Sequence, residues 1–186
     1  DEELTFNGTF FICIAVSLGS ICLVWGRSNE FSFMLEIFKK FIGVKKEKVD
    51  SNNEVFEKDD DLQLAFENDF GYDLTRDQQS TLQEIKNDME QPYIMDRLLV
   101  GDVGFGKTEI AFRAAFKAIN SGKQVALLCP TTLLARQHYL TALDRFRNFG
   151  VRIRLLSRLV STTETNQTLK DTISGQVDLL IGTHRL

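Results

Sequence analysis

The stretch GDVGFGKT, Gly101 to Thr108, constrains this chain more than any other. It fits the pattern G-x-x-x-x-G-K-[ST], with an apolar strand pattern before it (Arg97 to Val100) and a helical pattern directly after it (Thr108 to Asn120). A glycine-rich turn in that position lets backbone N–H groups approach phosphate oxygens closely. The helix N-terminus adds further donors and a favourable dipole. The expected ATP-binding residues here are Gly101, Asp102, Val103, Gly104, Phe105, Gly106, Lys107, Thr108 and Glu109. Lys107 would reach the β and γ phosphates, and the Thr108 hydroxyl would ligate Mg²⁺. Lys107 and Thr108 are thus the expected catalytic residues, with ATP and Mg²⁺ as cofactors.

From residue 67 onward, helical and strand patterns alternate. Thr75 to Met89 reads as a helix with Leu82, Ile85 and Met89 on one face. QVALLC, 124 to 129, is a continuous apolar strand of the kind covered on both faces of a parallel sheet. Thr132 to Phe149 reads as a helix, VRIRLL as a strand, Ser161 to Ile173 as a helix, and VDLLIG as the last strand. STTE at 161 to 164 is a capping-box pattern. The alternation implies an open parallel α/β sheet.

The first 66 residues are of a different kind. Leu4 to Gly26 is uncharged and close to the ~20 residues that cross a bilayer as a helix. Arg27, Lys39, Lys40, Lys45 and Lys46 follow it, so the C-terminal side would face the cytoplasm. Its β-branched and aromatic content, with Gly8 and Gly19, also fits a buried hairpin. Phe31 to Ile42 has apolar residues at helical spacing, and the acidic stretch from Val49 to Gln63 has the composition of a linker. The expected divisions are a hydrophobic segment and candidate membrane span (1–26), an amphipathic segment with acidic linker (27–66), and an ATP-binding domain (67–186).

Net charge is −4, but it is unevenly spread. Glu47 to Asp69 holds nine acidic residues and two lysines, while Arg97 to Arg158 holds eleven basic and three acidic residues. The basic half could face a polyanion, or its arginines could lie on solvated helix faces. The three cysteines lack metal-ligand spacing, and their odd number fits a reducing compartment.

Three further stretches carry candidate contacts. In FGYDLTRDQ, Phe70 and Gln78 could meet an adenine by stacking and by amide hydrogen bonds. Thr75 and Gln78 also form a T-x-x-Q capping box, which local physics favours. In CPTTLLARQH, Thr131 and Thr132 could cap a helix or hold a phosphate, with Arg136 adding charge. In GTHRL, Gly182 allows a tight turn and Thr183 and His184 offer short polar groups.

Together, the run from Met95 to Tyr139, then RIRLLSR and DLLIGTHRL, resembles the first motor lobe of the transcription-repair coupling factors. The resemblance covers about residues 64 to 186. RecG branch-migration helicases share GDVG-GKT and GTH-L, but Phe105 stands where they usually carry Ser. The resemblance implies a superfamily 2 helicase lobe of RecA-like, P-loop NTPase fold with a parallel sheet, truncated, and carrying a foreign hydrophobic and acidic N-terminal extension. It implies that Phe70 and Gln78 recognise adenine, against the local preference for a bare cap. It further implies that Thr131, Thr132, Arg136, Gln137, Ser157, Arg158, Thr183 and His184 contact the DNA backbone, so that the basic excess meets phosphates. The implied partners are double-stranded DNA and, through a longer parent, RNA polymerase and excision-repair proteins in the cytoplasm. The chain stops at Leu186, before the family's Asp-Glu box. The expectation is therefore weak nucleotide binding without turnover. The alternatives are a RecG-like fork-regression helicase and an inactive ATP-binding fragment tethered to a membrane.

Overall fold

The computed structural model describes residues 11–17, 20–25, 55–92, 95–102, 104–158 and 160–183. One six-stranded sheet organises them. Its strands are β1 (Phe11–Ser17), β2 (Ser20–Trp25), β3 (Met95–Val100), β4 (Gln124–Cys129), β5 (Ile153–Leu156) and β6 (Leu179–Thr183). Their order across the sheet is β3-β2-β1-β4-β6-β5. β1 runs parallel to β4, β4 and β5 run parallel to β6, and β2 is antiparallel to both β1 and β3. Five strands therefore point one way and β2 alone opposes them.

Of the two readings of Leu4 to Gly26, the described residues take the hairpin rather than the membrane span. Within that run, residues 11–17 and 20–25 form two antiparallel strands at the centre of the sheet. Ile12, Ile14, Val16, Ile21 and Val24 supply the β-branched residues that favour strands over helices. Among the described residues, no helix is long and apolar enough to cross a membrane.

Among the described residues, five helices cover the sheet: α1 (Asp61–Asn68), α2 (Arg76–Met89), α3 (Lys107–Asn120), α4 (Thr132–Arg145) and α5 (Thr162–Ile173). The β3–α3–β4 and β4–α4–β5 crossovers both advance across the sheet, so a common right-handed sense puts α3 and α4 on one face. Side chains of α3 and α4 do meet there, as Phe112 packs on Phe146. The step from β5 through α5 to β6 reverses direction.

α3 is almost wholly enclosed, with Ile110, Ala111, Phe112, Ala114, Ala115, Phe116 and Ala118 buried. Its small alanines let the helix lie close to the sheet, and its phenylalanines fill the gap to α1 and α4. Phe66 stacks on Phe116 with centroids 4.2 Å apart and meets Phe146 at 5.0 Å. Each such pair contributes roughly 0.5–1.5 kcal/mol beyond its buried area. α4 ends at Arg145 rather than running to Phe149. Breaking the helix there lets both Phe146 and Phe149 turn onto the Phe66 ring.

α1 begins inside the segment whose composition suggested a linker and runs past its end. Asp60 caps it by accepting from the Gln63 N–H at 2.8 Å, and Asp61 sits in its first turn, where the helix dipole favours an anion. The acidic run also neutralises the basic one. Asp59 pairs with Lys86 and Lys117, Glu67 with Lys86 and Arg113, and Asp69 lies 3.8 Å from Arg145. Arg97 pairs with Glu84 and Asp88, and Arg152 with Asp178. Arg113, Lys117 and Arg145, three of the eleven basic residues between Arg97 and Arg158, are therefore engaged inside the fold. Arg136 and Arg158 stay exposed.

These pairs predict acid sensitivity. Burial would raise the Asp59 carboxyl, but hydrogen bonds from Lys117 and Lys86 and their charges outweigh it, holding it below 3.8. Its stabilisation is present above that value and is lost as pH falls through the folded pKa. Burial pushes His138 below 6.5, so under that pH the unfolded chain takes up a proton the folded one resists. Both effects have one sign. Thermal unfolding followed by circular dichroism should shift to lower temperature from pH 7.5 to 5.5, and again below pH 4. His138→Gln should flatten the first step; a midpoint that rises on acidification contradicts this assignment.

Candidate nucleotide and nucleic-acid site

The loop after β3 is shaped by glycines at two points. Gly104 and Gly106 have φ of +85° and +74°, a region that costs other residues steric strain. A Cβ on Gly106 would also lie 2.7 Å from Gln78 Nε2. Gly106 is the N-cap of α3 and offers no side-chain acceptor to the first turn. The Glu109 N–H donates to Gly106 O at 3.0 Å, but the N–H groups of Lys107 and Thr108 have no acceptor inside the helix, so they are the anion donors at the positive end of the dipole.

Lys107 reaches back over this concavity, and its Nζ donates to Gly101 O at 2.5 Å and Asp102 O at 2.6 Å. Thr108 follows, half-buried, while Asp102 is exposed. The donor set fits a polyphosphate: a cationic amine, helix N–H groups and glycines that leave the backbone uncovered. The Thr108 hydroxyl is of the kind that would ligate a phosphate-bound Mg²⁺. Val103 lies outside the described residues. The Phe105 ring packs on Gly101, where a Cβ would come within 3.1 Å of it.

Glu109 does not turn toward the loop. It is buried, accepting from Arg113 Nε at 2.8 Å and from Arg145 Nε and Nη2 at 2.9 and 2.8 Å. Its expected role as an ATP contact is corrected on that ground, because its carboxylate belongs to an ion pair beneath the first turn. Nothing in the local pattern pointed to Arg145, whose partners are 36 and 79 residues away.

Gln78 takes up the expected cap and makes a second bond that the sequence did not suggest. Its Oε1 accepts from the Thr75 N–H at 2.8 Å, and the Thr75 hydroxyl accepts from the Gln78 N–H, closing the capping box. Its Nε2 donates to Phe105 O at 2.7 Å. Gln78 thus ties the start of α2 to the phosphate loop. Phe70 lies half-buried beside Tyr72, with ring centroids 5.5 Å apart. Behind that segment, a cleft of about 560 Å³ is lined by Gly71, Tyr72, Leu74, Gln79, Lys86 and Arg113.

The second group of residues gathers by strand direction. β3, β4, β5 and β6 are mutually parallel, so their C-terminal ends share one edge, where ligands of open α/β sheets bind. Register pairs Cys129 with Thr183 and Leu156 with Gly182, placing Thr131, Ser157 and Thr183 side by side there. Thr131 caps α4, accepting from the Leu134 N–H at 3.2 Å. Thr132 is half-buried, and Arg136 and Gln137 are exposed one turn on. Ser157 is buried and Arg158 exposed. Thr183 is buried, and its hydroxyl has no partner among the described residues. His184 lies outside them. The phosphate loop stands three strand spacings from β4, roughly 14 Å. Cys129, at the same edge, has its thiol pushed up to about 12 by burial, so it is no nucleophile at neutral pH.

A glycine cradle, an uncapped helix and a lysine at the carboxyl edge of a parallel sheet define the class: a P-loop nucleotide-binding α/β lobe. The chain belongs to the DEAD/DEAH box helicase family, whose model matches residues 75–186. It is 51% identical over 151 residues to the transcription-repair-coupling factors of Staphylococcus haemolyticus and Bacillus subtilis. Each match covers 81% of this chain and 13% of the relative. The Borreliella burgdorferi transcription-repair-coupling factor is 47% identical over 160 residues, 86% of this chain and 14% of the relative. Among solved structures, RecG bound to a three-way DNA junction aligns with a TM-score of 0.64 and 30% identity, covering 84% of this chain and 21% of that one. The chain therefore spans about an eighth of the length of the curated relatives it matches.

Proposed function

We propose that this chain is the first, ATP-binding lobe of a double-stranded DNA translocase acting in transcription-coupled repair. The observation that carries it is the Gly101–Thr108 cradle, with Lys107 lying over it and the strand-end group around Thr131 along the same sheet edge. In this reading Lys107 and the first-turn N–H groups of α3 hold the triphosphate, and Thr108 would hold Mg²⁺, which when bound would supply charge screening on the phosphates. Phe70 stacks on the adenine, and Gln78 links that side to the loop. Thr131, Thr132, Arg136, Gln137, Ser157, Arg158, Thr183 and His184 form the backbone-facing edge for duplex DNA. Displacement of stalled RNA polymerase and recruitment of excision-repair proteins would belong to a longer parent in the cytoplasm. The named relatives support this branch. The structural likeness to RecG on a DNA junction favours a second reading, a fork-regression helicase. Displacement of stalled polymerase by a full-length parent separates the two.

Exposed Arg136 and Arg158 test the DNA edge. The 186-residue chain titrated with a short duplex should lose affinity as salt rises. Arg136→Gln with Arg158→Gln should reduce the slope of log K against log[salt] by roughly 2, about 0.9 per lost phosphate contact. An unchanged slope in the double variant removes these arginines from the interface.

A further inference from the structure

Arg145 closes α4, yet its guanidinium lies against the first turn of α3. Besides its two bonds to Glu109, Nη2 donates to Phe66 O at 2.8 Å. Its central carbon sits 3.8 Å from the Phe66 ring centroid and 5.4 Å from that of Phe70. Arg113 approaches from α3 itself. It donates to Glu109 Oε1 at 2.8 Å and to Glu67 O at 3.2 Å, and its central carbon is 5.6 Å from the Phe70 centroid.

Glu109, Arg113 and Arg145 are all more than nine-tenths buried. Such buried charges are costly to desolvate even with Glu67 and Asp69 at 3.5 and 3.8 Å beside them, so a stability role alone explains them poorly. What they join is specific. Glu109 follows Thr108 directly in the phosphate loop's helix. Phe70 lies in a segment without helix or strand, followed by Gly71 at φ +73°, so secondary structure does not fix its ring. The two guanidinium groups, together with Tyr72, do.

We propose that Arg145, with Arg113, is a positioning residue for base recognition: anchored on Glu109, it holds the Phe70 ring at a set distance from the phosphate cradle. This rests on the nucleotide site proposed above. Arginine suits the role because its flat face lies on aromatic rings while its fork holds a carboxylate. Lysine keeps the charge but supplies neither geometry.

Calorimetric titration of the 186-residue chain with Mg·ATP and with magnesium tripolyphosphate, which has no base, tests this. The ratio of the two affinities isolates the base contribution. Arg145→Lys should leave tripolyphosphate affinity nearly unchanged but lower the ATP-to-tripolyphosphate ratio by about fivefold or more, the scale of one base–aromatic stack. Phe70→Leu should lower it similarly, and the double variant should lose no more than Phe70→Leu alone. Equal weakening of both ligands, or additive losses, would assign Arg145 to structure only and overturn the inference. If Arg145→Lys does not melt cooperatively, Arg113→Lys carries the same test. A wild-type chain that binds neither ligand sinks the nucleotide site and this inference together. A wild-type base preference that survives Arg145→Lys sinks this inference alone.

Discussion

Lys107→Ala should weaken Mg·ATP binding by roughly 10- to 150-fold, the loss expected for charge-assisted hydrogen bonds to phosphate. The cause is local. Lys107 Nζ is the cation that lies over the concavity, bridging Gly101 O and Asp102 O across the loop. The fold should tolerate the change, because Lys107 is only half-buried and water can replace its bonds to the two carbonyls. Melting temperature and ATP affinity should therefore separate: the first moves by a few degrees at most, the second falls steeply. An affinity within twofold of wild type would remove Lys107 from the phosphate site.

Glu109→Ala should show the opposite pattern, a large loss of stability. Its carboxylate is the shared partner of Arg113 and Arg145, and all three side chains are enclosed. Removing it leaves two buried guanidinium groups whose remaining acidic partners, Glu67 and Asp69, lie at 3.5 and 3.8 Å. Breaking a buried pair in this way costs about 3–5 kcal/mol. Against a total of ~5–15 kcal/mol for a typical domain, that is a large fraction. Denaturant unfolding should show the midpoint drop with little change in slope. Glu109→Gln, which still accepts hydrogen bonds, should lose less. A loss below ~1 kcal/mol for the alanine variant would mean that water reaches the pair and would undercut its positioning role.

Local signals carried much of the architecture. The Thr75 and Ser161 capping boxes lie where their patterns put them, because such caps need only four adjacent residues. β4 was legible as an unbroken apolar run and is buried along its whole length. The phosphate loop was legible for the same reason, since its glycine positions and following helix are set within a dozen residues. What depends on distant partners was not legible. The acidic stretch reads as a linker until its Asp59, with Glu67 and Asp69 just beyond it, meets Lys117, Lys86, Arg113 and Arg145 from later helices. Arg113, Lys117 and Arg145 read as part of a nucleic-acid face until those same pairs bury them. The apolar run has the length of a bilayer helix, but within it residues 11–17 and 20–25 lie as strands between β3 and β4. Gln78 had two competing roles in sequence and takes up the cap while also bonding the loop, an outcome only the 27-residue separation of its second partner explains.

The central claim is that Gly101–Thr108 holds the phosphates of a nucleotide. An experimental structure of the 186-residue chain with Mg²⁺ and a non-hydrolysable ATP analogue tests it most directly. The triphosphate should lie against Gly104, Gly106, Lys107 and Thr108, with the base against Phe70. A nucleotide found instead in the cleft lined by Gly71, Gln79 and Lys86, or one whose phosphates avoid Lys107, would contradict it.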